Sequence, residues 1–81
     1  MALTEKEKRE RARFLIRLGE HIRSKREEKK ITAAELARLC YMDKPNLLRI
    51  EKGRTNPSAF ILKRIADGLE ISFSELLEGF E

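Results

Sequence analysis

Two side chains of this sequence invite a search for catalysis or metal binding, His21 and Cys40, and each is the only residue of its type. A tetrahedral zinc site takes three or four protein ligands, and one His with one Cys cannot supply the usual set. No Gly-rich phosphate loop is present, and the spacing of the carboxylates nominates no pair for acid–base work. His21 lies in a charged stretch and is expected to be a solvated surface residue. Cys40 falls at the core-facing end of a short apolar run and reads as a small buried hydrophobe. These residues point away from an enzyme, a metal and a cofactor.

The chemistry that remains is recognition of a polyanion. Residues 31–53, ITAAELARLCYMDKPNLLRIEKG, read as two short helices joined by a tight turn. At about 100° per residue, Leu47 and Ile50 define the buried direction of the second helix. Pro45, Leu48, Arg49 and Lys52 lie opposite, flanked by Lys44 and Asn46. A face of this composition suits the edges of DNA bases better than plain solvent. Ala37 is small enough for a close helix crossing, and Tyr41-Met42-Asp43 makes the turn of a helix-turn-helix.

Charge supports the same partner. The 81 residues carry a net charge of +4, unevenly spread. Residues 1–30 hold eleven Lys/Arg and six Glu, and residues 31–66 hold seven Lys/Arg and three acids. Residues 67–81 hold no Lys or Arg and five acids: Asp67, Glu70, Glu75, Glu78 and Glu81. A basic body with an acidic end fits a polyanion met by the body, the acidic end turned away. The length suits one domain with one modest core. No apolar run approaches a membrane span, and MALTEKEKRE has no apolar signal core. The expected location is the cytoplasm, where a lone Cys stays reduced.

The elements that position this face follow from caps and periodicity. Thr4 and Glu7 form a capping box that opens a helix over about 4–29. Its apolar stripe is Phe14, Leu15, Leu18 and Ile22, with Gly19 inside where close packing requires it. Residues 5–13 lack the stripe, so 1–13 reads as a charged helical extension or as a basic arm on the DNA backbone, and 14–81 as the domain. Thr32 and Glu35 open the second helix, whose buried side is Leu36, Ala37 and Leu39 or Cys40. Asp43 caps the third helix, which runs to about Lys52 and stops at Gly53. Ser58 precedes a fourth helix with Leu62, Ile65 and Ala66 inward. Ser72 and Glu75 cap a short fifth helix with Phe73, Leu76 and Leu77 as its apolar positions. No segment alternates with period two, so no sheet is expected.

Read as an ordered set, Leu18-Gly19-Glu20-His21-Ile22-Arg23, Arg26 to Lys29, Thr32 with Glu35-Leu36-Ala37, Arg49 to Arg54, Asn56-Pro57-Ser58, Ile65-Ala66 and Ile71-Ser72 with Glu75-Leu76-Leu77 resemble the Cro/C1-type (XRE) helix-turn-helix family over roughly 14–77. The resemblance implies an all-α, five-helix, lambda repressor-like DNA-binding domain, here with an N-terminally extended first helix. It implies a transcription regulator, commonly a repressor, that binds double-stranded DNA as a homodimer on a pseudo-palindromic operator. By position, Lys44, Pro45, Asn46, Leu48 and Arg49 are the expected base readers. Asn46 suits adenine, Arg49 or Lys44 suits guanine, and Pro45 and Leu48 suit thymine methyls. Thr32, Arg54, Thr55 and Asn56 are the expected backbone contacts, and Arg26 with Glu51 a structural ion pair.

The departures from the family fall around the turn. Ala33 stands where Gln is common, Tyr41 where Gly is usual, and Asp43 where Ser or Thr caps. Tyr41 would be strained if the backbone keeps a positive φ there. These changes move the expected affinity toward the basic first helix and Arg54. Phe60-Ile61 stands where polar residues are usual, either as an exposed partner surface or with Phe60 folded into the space left by Ala59. Phe60, Ile61, Leu77 and Phe80 are the candidate dimer surface. The alternative reading is an antitoxin or protein-interaction module on the same fold, with a protein partner.

Overall fold

The computed structural model describes residues 2–80; Met1 and Glu81, the last of the tail acids counted above, lie outside them. Five helices follow in order: α1 (Glu5–Glu28), α2 (Ala33–Leu39), α3 (Lys44–Glu51), α4 (Ala59–Gly68) and α5 (Phe73–Leu77), with no strand among the described residues. Each starts where a side-chain oxygen accepts a first-turn N–H. Thr4, Thr32 and Ser72 do so within full capping boxes, and Asp43 and Ser58 as simple caps. Such caps satisfy amides that have no partner inside the helix.

The helix ends share one device as well. In α2, Met42 N–H donates to Ala37 O and Tyr41 N–H to Arg38 O; in α3, Arg54 donates to Arg49 O and Gly53 to Ile50 O; in α4, Ile71 donates to Ala66 O and Glu70 to Asp67 O. These are Schellman motifs, which need a residue with positive φ just past the helix. Gly53 fills that place after α3, but Tyr41 (φ 56°) and Glu70 (φ 57°) fill it after α2 and α4, and Lys30 (φ 59°) follows α1. Arg64 offsets the cost at Tyr41 by donating from Nη2 to its carbonyl at 2.7 Å. The guanidinium carbon also lies 5.9 Å from the centre of the Tyr41 ring.

The core forms where α1 meets α3 and α5, and α2 meets α3 and α4. Ile22, Leu36, Leu47, Ile65, Leu76 and Cys40 are its largest fully buried side chains. Cys40 Sγ donates to Leu36 O at 2.9 Å, and burial pushes its thiol pKa up. Leu39 is the exposed one of the Leu39/Cys40 pair. Phe14 and Phe73, expected on apolar stripes, are both substantially exposed. Residues 5–13 continue α1 without a break and are exposed throughout.

Gly19 meets the end of α3. A Cβ there would overlap the carbonyl oxygens of Ile50 and Glu51. Beside it lies the one buried ion pair among the described residues. Arg26 Nε donates to Glu51 Oε2 at 2.8 Å and Nη2 to Oε1 at 2.9 Å, while Nη1 donates to Ile31 O at 3.0 Å. The side chains are 12% and 3% exposed. The bonds to Glu51 raise the Arg26 pKa above its ordinary value, against the opposing effect of burial.

His21 corrects the sequence reading. It is half-buried, and its Nε2 lies 2.8 Å from Leu76 O. A carbonyl only accepts, so Nε2 carries the hydrogen and donates. The ring also lies 5.4 Å from that of Phe80. His21 therefore joins α1 to the end of α5 rather than standing in solvent.

Three stability effects follow. Gly19→Ala should destabilise by about 1–3 kcal/mol through overpacking, although helix propensity alone favours Ala by about 1 kcal/mol. Arg26→Ala should cost about 3–5 kcal/mol by leaving Glu51 buried and unpaired. Tyr41→Gly should raise stability by up to about 1 kcal/mol, because relief of the left-handed backbone exceeds the entropy cost of Gly. Denaturant midpoints of the purified variants measure all three.

Candidate nucleic-acid interface

α3 is eight residues long and has two distinct faces. Leu47, Ile50 and Glu51 are buried, whereas Lys44, Pro45, Asn46, Arg49 and Lys52 are exposed. Asp43 Oδ1 accepts from Asn46 N–H at 2.8 Å and fixes where the helix begins. Pro45 sits in the first turn, where its missing N–H leaves no bond unmade. Leu48 differs from the other expected readers: it is half-buried and packs against the core. Only part of it can reach a thymine methyl.

The loop after α3 folds beside this face. A cleft of about 270 Å³ runs between them, with Met42, Ile50, Pro57 and Ile61 as apolar lining and Asn46, Arg49, Thr55, Asn56 and Ser58 as polar lining. Four expected DNA contacts, Asn46, Arg49, Thr55 and Asn56, thus share one depression although they are up to ten positions apart. Within it Arg49 Nη1 donates to Asn46 Oδ1 at 3.1 Å. Arg54 is exposed immediately past Gly53. A Cβ on Gly53 would overlap the backbone of Ile16, so the loop leaves α3 tight against α1.

Thr32 is placed at the start of α2, but its polar groups are already engaged. Its hydroxyl oxygen accepts from Glu35 N–H at 3.1 Å, and its own N–H donates to Glu35 Oε1 at 3.2 Å. Its hydroxyl hydrogen remains for a phosphate, with the Glu35 carboxylate close by as an opposing charge. Ala33, where the family commonly has Gln, is turned into the core.

The four candidate dimer residues differ in what they pack against. Phe80 packs edge-on against Phe14, with ring centres 5.3 Å apart, and lies under Arg17. Leu77 packs against the core, and so does Ile61. Phe60 is 64% exposed and lies beside Arg64, as does Tyr41, which is 84% exposed. Of the two arrangements open for Phe60, the structure takes the exposed one. Arg64, which joins these rings, had no signal in the sequence: it is an unremarkable cation on α4 that the fold carries to the turn.

Comparison with known proteins matches this geometry. A family model described as helix-turn-helix (HTH_3) matches residues 22–76. The curated HTH-type transcriptional regulator DdrOP3 of Deinococcus deserti is 35% identical over 66 residues, covering 82% of this chain and 51% of the relative. The chain thus spans about half the length of that relative. The restriction-modification controller protein C.AhdI of Aeromonas hydrophila has a TM-score of 0.74 at 29% identity, covering 76% of this chain and 90% of its own. The clp gene regulator ClgR of C. glutamicum has a TM-score of 0.74 at 30% identity, covering 79% and 82%. An HTH_3 family transcriptional regulator of Vibrio cholerae has a TM-score of 0.79 at 27% identity, covering 86% and 39%. With its capped α2, tight turn and outward-facing α3, the chain belongs to the HTH_3 helix-turn-helix family of Cro/C1-type transcriptional regulators.

Proposed function

We propose that the chain is a sequence-specific regulator of transcription that lays α3 in the major groove of double-stranded DNA and binds as a homodimer on a pseudo-palindromic operator. The observation that carries this reading is the row of exposed Lys44, Pro45, Asn46 and Arg49 on a helix whose other face is locked by Leu47 and Ile50. Arg54, Thr55 and Asn56 then meet the sugar-phosphate backbone, and Thr32 adds a weaker contact through its hydroxyl hydrogen. Base edges supply the specificity and phosphates the bulk of the affinity. On this reading 1–13 is a charged helical extension or arm and 14–81 the DNA-binding domain. Lys6 pairs with Glu10 and Lys8 with Glu5 inside the arm. Arg9, Arg11 and Arg13 stand outside those pairs and are the arm's cations for DNA. No described helix is long and apolar enough to cross a membrane. This reading places the chain in the cytoplasm with its operator, as a binding protein rather than an enzyme, with no cofactor or metal.

One observation favours a second reading. The exposed rings of Phe60 and Tyr41, with the half-buried Arg64 beside both, have the composition found at protein-binding hot spots. An antitoxin-like module would use them to hold a protein partner. Sedimentation of the purified chain alone and with the product of the neighbouring gene separates the two. A self-dimer with no stable hetero-complex supports the plain regulator.

DNA titration at several salt concentrations tests the main reading. Affinity should fall steeply with salt, and Arg54→Ala should weaken all sequences alike while reducing the slope of log K against log salt by about 0.9. Arg49→Ala should instead alter base preference at one position. Affinity that ignores salt contradicts the mechanism, and equal rescaling by both variants removes Arg49 from base reading.

A further inference from the structure

We infer that Asn46 is a positioning residue that holds the Arg49 guanidinium in place, so that the two side chains read one guanine together instead of one base each. The inference rests on the reading of α3 as the helix that meets the bases. The two residues stand three apart on its exposed face, the spacing at which helix side chains meet. Arg49 Nη1 donates to Asn46 Oδ1 at 3.1 Å. A guanidinium has donors only, so the amide oxygen, not the amide nitrogen, must face it.

That orientation bears on what Asn46 can read. An asparagine paired with adenine uses Oδ1 to accept from N6 and Nδ2 to donate to N7, both in the plane of the base. Here Oδ1 is turned along the helix to Arg49 and already accepts from its guanidinium. The backbone N–H of Asn46 donates to the Asp43 cap at 2.8 Å, which fixes the first turn on which both side chains stand. Arg49 has no carboxylate partner among the described ion pairs. Its remaining N–H groups suffice for the bidentate pair with O6 and N7 of guanine. Fixing the side chain before DNA arrives lowers the ordering cost of that pair.

The test is a selection of bound duplexes from a random pool with the full chain. Affinities are then measured on the selected site and its single-base variants. Wild type is compared with Arg49→Ala, Asn46→Ala, Asn46→Asp and the double alanine variant. Arg49→Ala should cut the preference for guanine at one base pair by about 5- to 150-fold. Asn46→Ala should cut the preference at that same pair by a smaller factor, and should change nothing further in the Arg49→Ala background. Asn46→Asp keeps the acceptor and should keep the guanine preference while binding every duplex more weakly. The inference is overturned if Asn46→Ala relaxes an adenine at a different base pair, with a factor that multiplies that of Arg49→Ala. A wild-type chain that selects no sequence overturns the reading of α3 itself, a result visible before any variant is made. Both side chains are exposed, so superimposable thermal melts are expected for all variants.

Discussion

The Arg26–Glu51 pair is the constraint on which the arrangement of the other parts depends. Glu51 is the last residue of α3 and is almost wholly buried. A carboxylate at the C-terminal end of a helix is opposed by the helix dipole, and burial adds a desolvation cost. Only a partner with matched geometry makes that position tolerable. Arg26 satisfies both carboxylate oxygens and also takes the carbonyl of Ile31, at the join between α1 and α2. One guanidinium thereby ties α1 to the end of α3 and to the connection that leads into α2. Such a pair adds little net stability compared with apolar packing, but it admits few alternative arrangements. It fixes the end of α3 against α1, and Gly19 lets that contact close.

The other end of α3 is fixed by backbone chemistry. Asp43 sets the first turn, and the Schellman motif after α2 sets the direction from which the chain arrives. The unusual feature is Tyr41 in a conformation that glycine adopts without strain. Arg64 reaches from α4 to the Tyr41 carbonyl and holds the turn from outside. The turn keeps its geometry at some local cost, and α4 becomes part of what positions the reading helix. The Arg64 guanidinium carbon also lies 6.0 Å from the centre of the Phe60 ring, so this side chain links the atypical turn to the atypical start of α4.

The side of the molecule proposed to face DNA is modest in charge for that role. The start of α3 carries Asp43, and the start of α2 carries Glu35, engaged with Thr32. On the proposed reading these acids weaken phosphate contacts near the turn and leave Lys44, Arg49, Lys52 and Arg54 as the cations, with the arm of α1 beyond. Recognition of this kind relies on preorganised side chains, and the cleft beside α3 gathers them.

Helix starts were legible because they are local: an oxygen and an amide three residues apart suffice to mark Thr4, Thr32, Asp43, Ser58 and Ser72. The buried face of α3 was legible because periodicity alone separates Leu47 and Ile50 from Arg49. The Arg26–Glu51 pair came from the family resemblance rather than from spacing, since its partners are 25 positions apart. His21 was misjudged and Arg64 unseen because their partners lie far off in the chain. A histidine among charges looks solvated until α5 brings the Leu76 carbonyl to it. The packing of Phe80 on Phe14 likewise has no local signal, because the two stand at opposite ends of the fold's sequence. The sequence by itself determined the five helices, their first turns and which side of α3 faces outward, all consequences of neighbours within a few residues. Only the tertiary structure decided which exposed side chains remain available and which are held, because that depends on contacts between residues far apart in the chain.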